Sequence, residues 1–265
     1  MWQVDAFASR PFTGNPAAVL LLDEAAPEDW MQAVAAENNL SETAFCVPSR
    51  PDDSGPLWRL RWFTPAAEVD LCGHATLATA HVLFELGILG ADQAATFDTR
   101  SGRLTARRNG STIWLDFPAT PALPTPPPDD LVPALGIDPV RVEFTGTSRF
   151  DTLVVVDDES IVRRLAPDTG AIGRIPTRCV IVTARGFDYD MVSRVFAPAV
   201  GVAEDPVTGS AHCALGPYWA DRLGRNELVA FQASARGGEL SLEVDGDRVR
   251  LGGTAMTVLR ADLYV

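Results

Sequence analysis

The amino-acid sequence predicts an α+β protein made of two similar halves, with more sheet than helix. Three observations support this fold class: short strand-type runs outnumber helical patterns, the chain repeats itself at a constant offset, and a proline-rich segment separates the two copies. The chain has 265 residues, a length suited to one large domain or two packed lobes. A chain of this size buries about three quarters of its unfolded surface, so its stability requires no disulfide or metal ion.

Strand-type runs occur along the whole chain, and several alternate apolar with polar residues, as in a sheet with one solvated face. In order they are WQVDAF, AAVLLL, TAFCV, LWRLRWF, ATFDT, RLTARR, TIWLDF, TLVVV, RCVIVT, MVSRVF, LVAFQ, ELSLEV, DRVRLG and MTVLRADLYV. The clearest helical patterns span Pro27 to Asn39, Gly73 to Leu86, Asp129 to Gly136 and Gly209 to Gly224. Asn109-Gly110 and Asp245-Gly246 are typical hairpin turns, and Gly14-Asn15-Pro16 is interpreted as a turn.

The internal repeat is the most informative feature of the sequence. SGRLTARRNGSTIWL, from Ser101, aligns with GGELSLEVDGDRVRL, from Gly237, at an offset of 136 residues. The same offset places Gly73-His74-Ala75 on Gly209-Ser210-Ala211, and RWFTP recurs as RVFAP at an offset of 133. The shared order and spacing of these pairs indicate a duplicated unit.

The duplication predicts the domain organisation. We expect a first lobe over residues 1–117, a proline-rich linker over 118–128 and a second lobe over 129–253. Clustered prolines remove backbone donors and stiffen a connection, which suits a boundary between lobes. Residues 254–265 have no counterpart at the end of the first repeat, so we expect them to return as a strand of the first lobe.

Composition narrows the classes of partner. A formal net charge of −13 disfavours binding to nucleic acid or to an anionic membrane, which are held by clustered lysine and arginine. A bilayer-spanning helix needs about 20 apolar residues, and no apolar run of the sequence approaches that length. The N-terminus lacks a signal-peptide pattern. The four cysteines are scattered without a CxxC pair, as is typical of reduced thiols. We therefore expect a cytoplasmic protein.

The two repeats share a helix that begins with glycine and a polar residue, at Gly73 and Gly209. Backbone NH groups at a helix start are unpaired, and glycine lets an anion approach them. Such a helix start contributes about 0.3 to 1 kcal/mol to binding a carboxylate. If the pseudo-symmetry brings both starts to one cleft, the sequence predicts a site for a small carboxylate in an otherwise acidic protein.

Four motifs together resemble the PhzF family, whose fold is related to diaminopimelate epimerase. They are VDAFASRPFTGNPAAVLL near the N-terminus, NLSETAF over 39–45, DLCGHAT over 70–76 and AEDPVTGSA over 203–211. They occur in the family's order and approximate spacing, and the resemblance covers the whole chain.

The resemblance implies two pseudo-symmetric lobes, each a β-barrel-like sheet wrapped around a central helix, with the active site between them and commonly a homodimer. The best-known activity of the family is a cofactor-free isomerisation in phenazine biosynthesis, a biosynthetic process in which a glutamate moves a proton between carbons. That role carries over to Glu42. The histidine, aspartate and serine that bind and orient the substrate match His74, Asp205 and Ser210.

The residues themselves allow these roles and also plainer ones. Glu42 stands between polar and apolar segments, where its carboxyl could be partly desolvated as a proton shuttle or lie on the surface. At a helix start the positive end disfavours imidazolium, so a neutral His74 could hydrogen-bond the substrate or relay a proton, or alternatively cap or pack. Asp205 precedes Pro206, which favours an extended conformation, but it could simply serve the next turn. Ser210 is equally compatible with an early helical position.

A metal site is not expected. His74 and His81 are seven residues apart, about two helical turns, whereas two ligands on one helix face are normally four apart. His212 lies in the other repeat and would need a further partner. We expect neither a metal ion nor another cofactor.

A thiol mechanism is the first alternative. Related racemases and epimerases use two facing cysteines, one from each repeat, and Cys72 precedes Gly73 as such a cysteine would. Its counterpart at the repeat offset is Thr208, with Pro206 the nearest other candidate, and neither is a thiol. Cys213 lies about one helical turn too late. A two-thiol amino-acid epimerase is therefore disfavoured.

The sequence thus predicts an isomerase that moves a proton within a small carboxylate substrate. Glu42, His74 and Asp205 are the predicted catalytic residues, and Ser210, Gly73 and Gly209 are the predicted substrate-binding residues. A second alternative is a non-catalytic protein that kept the ligand site and lost the chemistry.

Overall fold

The structure, a computed structural model, describes residues 1–51 and 55–264. It is an α+β fold with extensive sheet and few helices, as predicted. The chain forms two compact units, of which unit 1 comprises Met1–Phe117 together with the segment from Arg250 to the C-terminus, and unit 2 comprises Pro118–Val249. No helix of the described residues is both long enough and apolar enough to cross a bilayer.

The elements up to the end of the first repeat alternate short strands with two long helices. In chain order they are β1 (Trp2–Ala6), β2 (Asn15–Leu21), α1 (Glu28–Asn38), β3 (Glu42–Pro48), β4 (Leu57–Phe63), β5 (Glu68–Val69), α2 (Gly73–Glu85), β6 (Ala94–Thr99), β7 (Gly102–Asn109) and β8 (Thr112–Pro118).

The remaining elements follow a similar order. They are β9 (Leu123–Pro124), α3 (Leu131–Leu135), β10 (Val142–Thr147), β11 (Asp151–Val156), α4 (Glu159–Arg164), α5 (Thr169–Ile172), β12 (Cys179–Arg185), β13 (Met191–Ala197), β14 (Val202–Asp205), α6 (Gly209–Leu223), β15 (Glu227–Gln232), β16 (Gly238–Asp245), β17 (Arg248–Gly253) and β18 (Ala255–Arg260).

The sheet of unit 1 combines antiparallel and parallel pairs. Strand β1 pairs antiparallel with both β18 and β2, so the C-terminal segment returns to this unit. Strand β3 is parallel to β2 and antiparallel to β4, which also pairs with β5. Strand β4 is parallel to β6, and β6, β7 and β8 continue as an antiparallel meander.

Unit 2 has the same connectivity. Strand β10 pairs antiparallel with both β9 and β11, as β1 does with β18 and β2. Strand β12 is parallel to β11 and antiparallel to β13, which pairs with β14 and runs parallel to β15. Strands β15 and β16 are antiparallel. The duplication inferred from the sequence is therefore present strand by strand.

The long helix of each unit packs inside its sheet. In α2 every residue from His74 to Ala80 is buried, which a helix surrounded by protein requires. It packs against β1, β2, β3, β7 and β18. In α6, a Cβ at Gly216 would lie 3.2 Å from Val244 and 3.3 Å from Leu242, so a small residue allows close packing against β16. Small residues thus suit these helices to a buried position.

Some boundaries and elements differ from the expectations. Residues 118–128, expected as a linker, lie in unit 2, where Leu123 and Pro124 pair with β10. Unit 2 ends at Val249 instead of residue 253. Strand β10 and helix α4 were not predicted, because Gly146 interrupts the alternation of VEFTGT after four residues and ESIVRR is short. The latter depends on a local cap, in which the Asp158 side chain accepts from the backbone NH of Ser160.

Candidate active site

A buried acid and base meet at the start of α2 in unit 1. Glu42 is the first residue of β3, and His74 is the second residue of α2. Nε2 of His74 lies 3.1 Å from Oε2 of Glu42, and their side chains are 5% and 18% exposed. The two atoms are close enough for an ion pair, and neither has a hydrogen-bond partner beyond this contact within the described residues. The Glu42 oxygen therefore retains a lone pair for a ligand.

The other edge of the imidazole faces two further side chains. Nδ2 of Asn15 lies 3.2 Å from Nδ1 of His74, and Sγ of Cys72 lies 3.5 Å from the same nitrogen. The Asn15 amide can bond to the ring in either charge state. Its NH₂ group donates to Nδ1 when that nitrogen carries no proton, and with the amide rotated its oxygen accepts from Nδ1–H when it does. Asn15 thus orients His74 toward Glu42.

The position of Asn15 depends on the preceding glycine. Gly14 has a φ of +66°, and a Cβ there would lie 2.1 Å from the backbone oxygen of Ala6. Backbone cannot yield as a flexible side chain can, so only glycine fits this turn. The interpretation of Gly14-Asn15-Pro16 as a turn fits Gly14 only, because Asn15 and Pro16 are the first residues of β2 and pair with β1.

We expect Gly14→Ala to be far more destabilising than Gly87→Ala. Gly87 has nearly the same φ, +69°, but nothing lies within 4 Å of its Cβ position. The left-handed backbone alone should therefore cost Gly87→Ala about 1 kcal/mol, while the added clash should bring Gly14→Ala to about 3 kcal/mol or more. Urea unfolding of both variants measures the difference. Equal losses would show that the Ala6 contact has no effect.

The electrostatics of the cluster favour a charged histidine. Burial disfavours the imidazolium, but the charges of Cys72 and Glu42 more than offset it, and the pKa of His74 is raised well above 6.5. Burial, reinforced by Glu42, raises the pKa of the Cys72 thiol. The raised pKa of His74 opposes the neutral ring inferred from the helix start, and the charge of His74 stays a prediction for the titration described below.

This pair predicts one titration that can be measured directly. Of the three histidines, His74 should titrate above 6.5, whereas burial lowers the pKa of His81 and brings that of His212 to about 4. Because the folded pKa of His74 exceeds the unfolded value, its stabilising contribution is complete below about pH 6.5 and is lost as the pH rises through the folded pKa.

NMR titration of the histidine ring protons checks this prediction, with Glu42→Gln as the matched variant. Removing the carboxylate should lower the pKa of His74 and remove the associated fall in stability above pH 6.5. The His212 titration should not move, since the ring of His212 contacts the backbone oxygen of Thr208 at 2.8 Å. If no histidine titrates above 6.5 in the parent, this description of the pair is incorrect.

Unit 2 places a different polar cluster at the start of α6. Nε of Arg178 donates to Oδ1 of Asp151 at 2.8 Å, and Nη2 donates to Oδ2 at 2.7 Å. Nη2 also donates to Oγ of Ser210, the second residue of α6, at 3.0 Å. Asp151, the first residue of β11, is only 2% exposed. The arginine is thus held in a fixed orientation beside the helix start.

Asp205 is tied to the same helix start. Its carboxylate accepts from the Thr208 hydroxyl, and its backbone oxygen accepts from Nε2 of Gln232 at 2.7 Å. The backbone NH of Thr208, the N-cap of α6, donates to Oε1 of Gln232 at 2.8 Å. Asp205 therefore stabilises the loop that leads into α6, the plainer role considered for it from sequence, and lies in the same unit as Ser210 and Gly209.

The two clusters occupy equivalent positions of the repeat. An offset of 136 residues relates Asn15 to Asp151, Glu42 to Arg178, Cys72 to Thr208 and His74 to Ser210. Applied to the helix starts alone, this offset left out Arg178, which precedes β12, and Asp151, the first residue of β11. The signal for both residues was in the sequence.

Glu42, Cys72 and His74 could also contribute ligands to a metal ion. One ligand atom from each lies within 4.8 Å of the others, and this set includes neither His81 nor His212. However, Cys72 faces Nδ1 and Glu42 faces Nε2, on opposite edges of the ring. A metal ion binds in line with one ring nitrogen, so a single ion would be approached by only one of the two other ligands.

The cysteines lack the symmetry of a two-thiol site. Cys72 is the N-cap of α2, and the N-cap of α6 is Thr208, as the repeat alignment predicted. Cys213 lies within α6, where its thiol donates to the backbone oxygen of Gly209. All four cysteines are free and buried. The position equivalent to Cys72 therefore carries a hydroxyl group instead of a second thiol.

Comparisons with known proteins agree over the whole chain. The sequence model of the PhzC-PhzF family, described as phenazine biosynthesis-like protein, matches residues 4–261. A protein named as an uncharacterized isomerase from Halalkalibacterium halodurans is 50% identical over 268 residues, with 100% of this chain and 98% of the relative covered. The human phenazine biosynthesis-like domain-containing protein is 44% identical over 280 residues, covering 98% of this chain and 96% of its own.

The structural comparison gives the same result. The crystal structure of a PhzF family protein from Enterococcus faecalis has a TM-score of 0.92 and 43% identity, covering 100% of this chain and 98% of its own. A probable proline racemase from Agrobacterium radiobacter, at 13% identity and a TM-score of 0.63, shares the fold. The chain is thus an enzyme of the isomerase and epimerase class. It belongs to the PhzC-PhzF family of phenazine biosynthesis-like proteins.

Proposed function

We propose that this enzyme is a cofactor-independent isomerase that moves a proton between two carbons of a small carboxylate substrate, with Glu42 as the acid and base. The observation that carries this proposal is the contact between Glu42 and His74. Two buried ionisable atoms lie 3.1 Å apart, and neither has a further hydrogen-bond partner in the described part of the chain. Such a pair is costly to bury and is typical of a reaction centre.

The proposed reaction uses one carboxyl group twice. The Glu42 carboxylate accepts a proton from a carbon next to an unsaturated or carbonyl group, and the resulting carboxylic acid then returns the proton to a second carbon. A charged His74 stabilises the negative charge that develops in between, and Asn15 holds the ring in place. A positioned acid or base contributes about 10²- to 10⁴-fold to a rate.

The remaining predicted residues are proposed to bind the substrate. The backbone NH groups near Gly73 and Gly209 begin the two long helices and are suited to a carboxylate. Ser210 offers a hydroxyl group, and Asp205 offers an acceptor that orients a hydroxyl or amino group of the substrate. A homodimer and a cytoplasmic, biosynthetic setting remain predictions from the family resemblance, and light scattering of the purified protein tests the first.

The test of this function is proton exchange with solvent. Incubation of the enzyme with a set of small unsaturated carboxylates in deuterium oxide should place deuterium on carbon in at least one compound, as detected by mass spectrometry. The corresponding amides, which lack the anion, are the matched controls and should exchange much more slowly. If no carboxylate exchanges while the protein still binds one, the chain is a binding protein and the proposal is wrong.

A thiol mechanism is the second candidate, because Sγ of Cys72 lies 3.5 Å from Nδ1 of His74. A protonated thiol is a poor base, and the matching position in unit 2 is Thr208. We therefore expect Cys72→Ala to retain deuterium exchange within a few-fold of the parent, as should the control Cys213→Ala. Loss of exchange in Cys72→Ala alone, with an intact fold by circular dichroism, would favour the thiol mechanism.

A further inference from the structure

Unit 2 contains a cavity next to the Arg178 cluster that none of the predicted roles uses. Its volume is about 420 Å³, and its lining includes Arg149, Phe150, Thr147, Ser148 and Arg178. Sites for small ligands typically have volumes of about 300 to 1,000 Å³, with a few polar groups that fix orientation. The cavity is therefore large enough for a small organic acid.

Arg178 keeps hydrogen-bonding capacity for such a ligand. Asp151 and Ser210 occupy Nε and Nη2, whereas Nη1 has no hydrogen-bond partner among the described residues. The side chain is 34% exposed, while Asp151 behind it is buried. A guanidinium that is anchored at one edge and open at the other is prepared to bind a carboxylate with little loss of side-chain entropy.

A second cation and an aromatic ring lie beside it. The guanidinium groups of Arg149 and Arg178 both lie 4.9 Å from the centre of the Phe150 ring. Two arginines close together are notable in a chain with a formal net charge of −13. Together with the hydroxyl groups of Thr147 and Ser148, they form a local environment that favours an anion with an apolar body.

The repeat gives an independent argument for a role of Arg178 in function. Arg178 stands at the position that Glu42 occupies in the first repeat, and Ser210 stands at that of His74. In each unit the first residue contacts the second at the helix start, at 3.1 Å in unit 1 and 3.0 Å in unit 2. The duplicated position thus carries a proton-transfer group in one copy and a cation in the other.

We propose that Arg178 binds a small organic carboxylate at the cavity of unit 2 that it lines, with Asp151 as the residue that positions it. This site lies within unit 2 and is argued separately from the chemistry proposed for Glu42. The ligand class is an acid with an apolar body, because the Phe150 ring lies in the lining beside the guanidinium of Arg178. Inorganic phosphate would satisfy the same cation, so it is included as a competing anion.

The test measures binding separately from catalysis. Benzoate and the neutral benzamide are titrated into each protein, and their affinities are measured by calorimetry or NMR. The proteins are the parent, Arg178→Gln, Asp151→Asn/Arg178→Gln, Arg178→Lys and the control Arg164→Gln. Arg164 is an exposed residue of α4 whose guanidinium donates to the Ser160 hydroxyl at 2.8 Å and which is not among the residues that line the cavity. Arg178→Gln leaves the buried carboxylate of Asp151 without a cation, which destabilises the fold. The double variant removes both charges, so we expect it to remain folded where the single variant does not.

The parent and Arg164→Gln should bind benzoate in preference to benzamide and to phosphate. In the double variant, loss of a hydrogen bond to a charged group should weaken the binding of benzoate about 10-fold or more. The affinity for benzamide should not change. Arg178→Lys keeps the positive charge but loses the forked guanidinium, so its affinity for benzoate should lie between those of the parent and the double variant. Equal affinities for benzoate in the double variant and Arg164→Gln, tighter binding of phosphate, or no preference for benzoate in the parent would overturn the proposal.

The two proposals fail separately. If the double variant loses benzoate while no carboxylate exchanges hydrogen in the parent, Arg178 is an anion-binding residue of a protein without the proposed chemistry. If exchange occurs but the double variant binds benzoate like the parent, the isomerase proposal stands and the role of Arg178 is wrong.

Discussion

Glu42→Gln should reduce the rate of carbon-hydrogen exchange by about 10²- to 10⁴-fold while the enzyme still binds its substrate. Glutamine fills the same volume but cannot accept a proton at neutral pH. The loss should therefore appear in the maximal rate more than in the substrate concentration at half-maximal rate. Steady-state kinetics with the substrate identified by deuterium exchange, together with an unchanged circular dichroism spectrum, measures both quantities.

The matched control for this experiment is Glu37→Gln. Glu37 lies on the exposed face of α1, so removing its charge changes the net charge by the same amount without touching the His74 cluster. We expect its activity to equal that of the parent. A Glu42→Gln enzyme that remains within a few-fold of the parent would show that another group transfers the proton.

The second large effect concerns the stability of unit 2. Arg178→Gln should lower the free energy of unfolding by about 3 kcal/mol, because it leaves the carboxylate of Asp151 buried without its cation. Asp151→Asn/Arg178→Gln should recover most of that loss, since two neutral amides require less solvation. Asparagine at 151 also matches Asn15 at the equivalent position of the first repeat.

Urea unfolding of the parent, the single variant and the double variant measures this non-additivity. Arg164→Gln again serves as the control, because an exposed side chain of this kind contributes at most a few tenths of a kcal/mol. If the double variant is less stable than the single variant, the ion pair is not the reason that Arg178 stabilises the protein. The contact of its guanidinium with the Phe150 ring then becomes the explanation.

Much of the fold could be predicted because duplication leaves a strong signal. Matching glycines such as Gly110 and Gly246 fix equivalent hairpins, and two glycine-started helices with small residues indicate buried helices. The boundaries between the two units were harder to predict from the sequence. Leu123 and Pro124 form a strand through pairing with residues distant in sequence, and composition alone assigned them to a linker.

The site could be predicted only in part. The motifs identified Glu42 and His74, but their contact depends on the distance between the start of β3 and the start of α2, which no local pattern contains. The inference of a neutral His74 considered the helix end without the carboxylate 3.1 Å away, so the charge of His74 stays a prediction that the titration tests. Arg178 and Asp151 show that a repeat offset should be followed through every polar position.

The central claim is that one carboxyl group carries hydrogen from one carbon to another. It is tested most directly by a substrate deuterated at the donor carbon and turned over in ordinary water, with the product of the first turnover analysed by mass spectrometry. The account predicts that part of the deuterium reaches the acceptor carbon, and that Glu42→Gln forms almost no product. Complete replacement by solvent hydrogen, combined with turnover of Glu42→Gln at the parent rate, would contradict it.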